Sequence, residues 1–168
     1  MSERCDALLV GAGIMGATLA NLLRQLDPSL KVVVLERLPQ LGCESSGPMN
    51  NAGTGHAANC ELNYTPEAAD GSIPIGKALA INASFERSLE FWSSLVESQQ
   101  LRDPAGFIRA VPHLSFVWGQ ANVDYLRRRF EALQGSPQFA EMAWSSDPQQ
   151  LREWMPLVMA GRRLDQPL

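Results

Sequence analysis

The stretch "LLVGAGIMGATLANLL", Leu8–Leu23, decides the fold. Its three glycines, Gly11, Gly13 and Gly16, have the spacing G-x-G-x-x-G. An apolar run, Ala7–Val10, precedes them, and both of its faces are apolar, as in a parallel strand covered by helices. Ile14–Leu26 follows with Ile14, Ala17, Leu22 and Leu26 near helical spacing, and Asp27-Pro28-Ser29 stops the helix because proline cannot continue it. Lys31–Glu36 is a second strand rich in β-branched residues. Strand, helix and strand in about thirty residues make a βαβ unit with a right-handed crossover.

Position gives the glycines their meaning. Gly11 lets the chain leave the strand in a tight turn. Gly13 admits a pyrophosphate where a Cβ would block it, and Gly16 lets the helix pack close to the strand. The helix N-terminus then offers unpaired N–H groups to the phosphates. Glu36 ends the second strand about twenty positions later, where a carboxylate accepts from a ribose diol. FAD and NAD both satisfy this pattern, and the adjacent Arg37 also leaves a 2′-phosphate open.

Bulk properties bound the rest. The chain has 168 residues, of which 45% are apolar and 19% charged, with a net charge of −4. This suits a globular domain with a real core and gives no basic excess for a nucleic-acid partner. The three cysteines, Cys5, Cys43 and Cys60, are widely spaced and include no C-x-x-C. That spacing disfavours a disulfide framework or a thiolate metal site, so no metal is expected and a reducing, cytoplasmic setting fits. No apolar run approaches a membrane span, and the N-terminus lacks the apolar core of a signal peptide.

Further along, Leu38–Asp70 reads as a long glycine-rich loop containing "NNAGTGH", Asn50–His56, and loops of that length in compact domains are commonly functional. Ile75–Leu101 reads as a long helix with the stripe Leu79, Phe85, Leu89, Trp92 and Val96. Phe107–Gly119 reads as one or two strands interrupted at Pro112. Asn122–Leu133 reads as a helix capped by Asn122, and Gln149–Met159 as a short helix broken at Pro156. Arg127-Arg128-Arg129 reads as a solvated helix face, with contact to anionic lipid as the alternative. Trp92, Trp118, Trp144 and Trp154 read as core residues. His113 and Arg109 read first as structural and exposed residues, and second as contacts for a substrate.

Three segments carry a family resemblance: "ESSGPMNNAGTGHAANCELNYTPEAADGSIPIGKALAIN" (Glu44–Asn82), "VPHLSFVWG" (Val111–Gly119) and "PLVMAGR" (Pro156–Arg162). Together they resemble malate:quinone oxidoreductase over nearly the whole chain. "NNAGTGH" followed by "ELNYTP" is far more specific than the glycine motif. The resemblance implies an FAD-dependent flavoprotein that oxidises (S)-malate to oxaloacetate in the citric acid cycle. It implies electron transfer to a membrane quinone and a peripheral place on the cytoplasmic face of the cell membrane. It also implies FAD contacts from Gly11, Gly13, Gly16, Glu36 and Arg37, and from the loop residues Ser45, Ser46, Asn51, Ala52, Gly53, Thr54, Gly55 and His56. Small residues there allow close backbone approach to phosphate or flavin. His56 reads first as a cofactor-loop residue hydrogen-bonding flavin or substrate, with a structural role as the alternative; the catalytic base is unknown, His56 being a weak candidate and a base elsewhere in the longer family chain an equal one.

The expected fold is therefore α/β. Residues 1–72 form a Rossmann-like FAD-binding βαβ unit with an incomplete parallel sheet and the cofactor loop. Residues 73–168 form a helical segment and the start of a mixed α+β substrate domain. Family chains are considerably longer, so this chain is expected to be an N-terminal portion, marginally folded alone, weak in holding FAD and short of full activity. The alternatives are another FAD-dependent hydroxy-acid oxidase or dehydrogenase, and a non-catalytic FAD-binding fragment.

Overall fold

The computed structural model describes residues 4–53, 55 and 61–168. The protein is α/β, with a small parallel sheet and several helices. It divides into two compact units, Met1–Thr54 and Gly55–Leu168.

The first unit contains β1 (Ala7–Val10), α1 (Ile14–Leu26) and β2 (Val32–Leu35). The strands pair in parallel with Ala7 opposite Val32 and Val10 opposite Leu35. Asp6 extends the pairing, because its carboxylate accepts from the Lys31 amide at 2.7 Å. β1 alternates between half-buried Ala7 and Leu9 and exposed Leu8 and Val10. This corrects the reading of a strand covered on both faces. One helix can cover one face of a sheet, and no second helix of this unit lies among the described residues.

The second unit contains α2 (Gly76–Glu97), α3 (Gln120–Gln134), α4 (Pro148–Trp154) and α5 (Pro156–Met159). Single 3₁₀ turns occur at Leu62–Tyr64, Pro104–Gly106 and Pro137–Phe139. The apolar stripe of α2 faces inward as expected, but its fully buried positions are Ala78, Asn82 and Leu95. Ala78 meets Leu133 of α3 and Phe139 in the main core, with Tyr64, Ile75, Leu79, Ile81 and Met142 packed around it. Leu151, Met155 and Met159 build a second cluster under Trp154, Val158 and Leu168. Pro156 breaks α4 from α5 as expected. The Asp147 carboxylate caps α4 by accepting from the Gln149 amide at 3.1 Å.

Several expectations require correction. Phe107–Gly119 forms no strand, although its backbone passes through apolar residues spaced like one. Alternation supplies a face but not a partner, and no described strand lies beside it; Pro112 also lacks an N–H to donate. α2 ends at Glu97 rather than Leu101, where Gln99 adopts φ 60° and the amides of Gln100 and Leu101 both turn back to the Leu95 carbonyl. α3 begins two residues before Asn122, with Gly119 as its cap at φ 85°; the Asn122 side-chain Nδ2 instead donates to the Trp118 carbonyl at 2.9 Å. Trp118 is exposed, whereas Trp92, Trp144 and Trp154 are half-buried.

Candidate functional site

The glycine turn is built as its spacing requires. Gly11 has φ +95°, a region open to glycine and strained for other residues. A Cβ on Gly16 would stand 2.1 Å from the Gly11 carbonyl oxygen, so only glycine lets α1 lie against the turn. A Cβ on Gly13 would stand 3.0 Å from Ser46 Oγ. That hydroxyl comes from 32 residues away to accept from the Ile14 amide at 2.9 Å, and so caps α1. Gly13, the local cap residue, has no side chain for the task. Ser46 was therefore legible in the sequence as a member of the loop, but not as the cap of α1.

Glu36 closes the site from the other strand. Its Oε2 accepts from the Ala12 amide at 2.8 Å, and its Oε1 accepts from the Leu38 amide at 2.9 Å. These two backbone bonds, the Leu38 bond first, hold its carboxyl below the ordinary glutamate value. The acid is thus ionised and fixed beside the glycine turn, and each oxygen retains a second acceptor direction. Arg37 pairs with Glu44 at 3.2 Å, both side chains being well exposed.

The loop that follows is ordered by its own side chains. Asn51 donates to the Ser45 carbonyl at 3.1 Å and accepts from the Gly53 amide at 2.7 Å. Asn50 donates to the Glu44 carbonyl at 3.0 Å. Gly53 takes φ +63°, and Ala52 beside it is exposed. The structure thus brings Gly11, Gly13, Gly16, Glu36 and Ser46 together, and ties Asn51 and Gly53 to Ser45 within the same unit. Gly55 belongs to the second unit. Thr54, His56 and Cys60 lie outside the described residues.

In the second unit, a cavity of about 770 Å³ has His113 in its wall beside Phe116, Phe130, Trp144 and the buried Arg129. Arg109 is exposed and donates to the Ala105 carbonyl at 3.1 Å. The arginine run is not a solvated face, which corrects that reading. Arg129 is 1% exposed. Arg128 pairs with Glu67 at 2.7 Å, and only Arg127, paired with Glu131 at 3.1 Å, lies on the exposed side. Three successive residues on a helix point in three directions about 100° apart, so a run of charge cannot all face water on a packed helix. Among the described residues, no group of three His, Cys, Asp or Glu is placed to hold a metal ion, and no helix is long and apolar enough to cross a membrane.

Fold and site together define a βαβ unit of the glycine-turn class, which presents a helix N-terminus and an ionised acid on one side of a parallel pair. The family model for malate:quinone oxidoreductase matches residues 3–168, and the chain belongs to that family. It is 62% identical over 168 residues to a probable malate:quinone oxidoreductase of Synechococcus sp. (strain RCC307), covering all of this chain and 35% of that protein. It is 57% identical over 163 residues to the one of Flavobacterium johnsoniae, with 97% of this chain and 33% of that protein covered. It is 54% identical over 165 residues to the one of Geobacillus kaustophilus, with 98% and 33% covered. The chain spans about a third of the length of the curated relatives it matches.

Proposed function

We propose that this chain is the FAD-binding N-terminal portion of an enzyme that oxidises (S)-malate to oxaloacetate and passes the electrons to a membrane quinone. The observation that carries the reading is the bond from the Ala12 amide to Glu36 Oε2, which holds the acid against the glycine turn. An adenosine ribose lies next to its pyrophosphate, so its two partners must be neighbours, and here they are hydrogen-bonded neighbours. Family membership supports FAD, malate and quinone over other nucleotides and acids.

In this reading Gly11, Gly13 and Gly16 admit the pyrophosphate to the N-terminus of α1, and Ser46 adds a hydroxyl at the same place. Glu36 accepts from the adenosine ribose. Arg37, Ser45 and the residues from Asn51 to His56 line the way to the flavin. Bound FAD supplies the acceptor for the hydride that leaves malate as its hydroxyl loses a proton. His56 is the proposed acceptor of that proton. The first unit is the start of a Rossmann-like domain and the second the start of a substrate domain. A quinone acceptor calls for contact with the membrane, and the family resemblance favours its cytoplasmic face.

The test is a titration of the chain with FAD, followed by flavin fluorescence and absorbance near ~450 nm. Saturable binding that Gly13→Val and Glu36→Ala abolish is the expected result. A folded chain that binds no FAD, or binds it equally well in both variants, overturns the assignment of the cradle. Malate-dependent bleaching of the bound flavin then tests the substrate.

A further inference from the structure

Phe107–Gly119 alternates like a strand and is not one in this chain. Its backbone is nevertheless extended toward its end. The Phe116 and Trp118 rings lie beside each other, with centroids 6.4 Å and planes 37° apart. Side chains two positions apart share a face on an extended chain and not on a helix. Leu114, Phe116 and Trp118 are exposed, and Ser115 and Val117 between them are half-buried. The segment therefore turns an apolar face outward.

The peptide groups of the segment are open as well. Among the described residues, the amides of Val111, Leu114, Phe116, Val117 and Trp118 donate to no backbone carbonyl. Backbone pairing begins only at the end, where the Gly119 amide donates to the Pro167 carbonyl at 3.1 Å. The same segment walls the cavity of about 770 Å³, which Phe130, Trp144 and Trp154 also line. Protein interiors are close-packed, so a space of that size among apolar side chains belongs to a further partner. The open backbone says of what kind. A small aromatic molecule would fill the cavity and meet one or two peptide groups at most. A helix satisfies its own peptide groups and offers none to a neighbour. Only another extended chain pairs with successive peptide groups and also covers an apolar face of period two.

We propose that Leu114–Trp118 is an interaction edge that pairs with a β-strand from the rest of the family chain, a strand with apolar residues at alternate positions. Length points to that source. The whole of this chain covers 35% of the Synechococcus relative, so about two thirds of the family chain lies outside the match. A strand from that remainder is tethered to the segment and acts at an effective concentration of the order of mM, which a separate second copy does not reach. The pairing rests on the reading of this chain as part of a longer enzyme and is independent of the cofactor cradle. It gives the alternation of Phe107–Gly119 its meaning: the pattern is that of a strand whose partner is encoded elsewhere.

Amide exchange in this chain and in the full-length Synechococcus relative tests it. The amides of Leu114, Phe116, Val117 and Trp118 are expected to exchange near the free-peptide rate in this chain. In the longer protein at least every second amide of the matching segment is expected to exchange about a hundredfold more slowly, with α3 protected in both. Phe116→Pro and Val117→Pro supply a second measurement, because successive amides of an extended chain point to opposite edges. Neither removes a backbone bond in this chain, and each is expected to leave its thermal midpoint within about 2 °C. At the matching positions of the longer protein, at least one of them is expected to lower the midpoint by about 5 °C. Equal exchange in the two proteins, or prolines that are harmless in the longer one, overturns the pairing and leaves the cavity to a small ligand. Exchange in this chain that slows as its concentration rises overturns the tethered strand in favour of a second copy. If α3 is unprotected in this chain, the prolines in the longer protein decide alone. Failure to bind FAD overturns the cradle and moves none of these readings.

Discussion

The two units of this chain are stabilised in different ways. Around β1, α1 and β2, the backbone is well paired, but among the described residues only Ala12 and Gly47 are buried. Val10 is 84% exposed, Met15 81% and Leu26 82%. The unit is held by backbone bonds, by Glu36 across the turn and by Ser46 on the helix. The second unit has a true core in Ala78, Leu133 and Phe139, and a second one in Leu151, Met155 and Met159. A pattern of residues can thus specify a supersecondary unit without that unit burying enough apolar surface to be stable by itself.

The largest expected effect falls on the core. Phe139→Ala removes a side chain 2% exposed and is expected to cost the second unit about 3–5 kcal/mol. The check is chemical denaturation followed by amide exchange, in which α2 and α3 lose protection while α1 keeps it. Loss of protection in α1 to the same degree would break the contrast between the units. Gly16→Ala is expected to cost the first unit about 1–3 kcal/mol by forcing α1 off the turn, without changing protection in α3. The reciprocal exchange pattern checks it.

Smaller effects sharpen the contrast. Asp147→Ala removes the cap of α4 and is expected to lower stability by about 1 kcal/mol, read as a shift in the denaturation midpoint confined to the second unit. The smallest effect is a pH dependence confined to the first unit. The Glu36 carboxyl titrates below its ordinary value of 4.5 because the Leu38 and Ala12 amides stabilise the ionised form. Its contribution is complete above that value and lost as pH falls through the lower folded value. Exchange at Ala12 should therefore accelerate in acid, and Glu36→Gln should flatten the dependence.

The legibility of the sequence follows the same division. Ala7–Val10, Ile14–Leu26 and the glycine turn were readable to the residue, because each rests on contacts within a few positions and on backbone geometry that only glycine tolerates. Phe107–Gly119 was misread because alternation resembles a strand whether or not a partner lies beside it. Arg129 was misread because a run of three arginines looks like a charged surface until the helix turns one of them inward.

The sequence by itself determined the βαβ order, the glycines, the acid that ends β2 and the family, all of them local patterns or whole-chain similarity. Only the tertiary structure decided that Ser46 caps a helix 32 residues before it, that Glu36 bonds to the turn, and that Tyr125 and Arg129 seize Thr65 from 60 and 64 residues away. The reason is physical. A hydroxyl, a carboxylate or a guanidinium can satisfy any donor or acceptor of the right kind, so its partner is chosen by which groups the fold leaves without water.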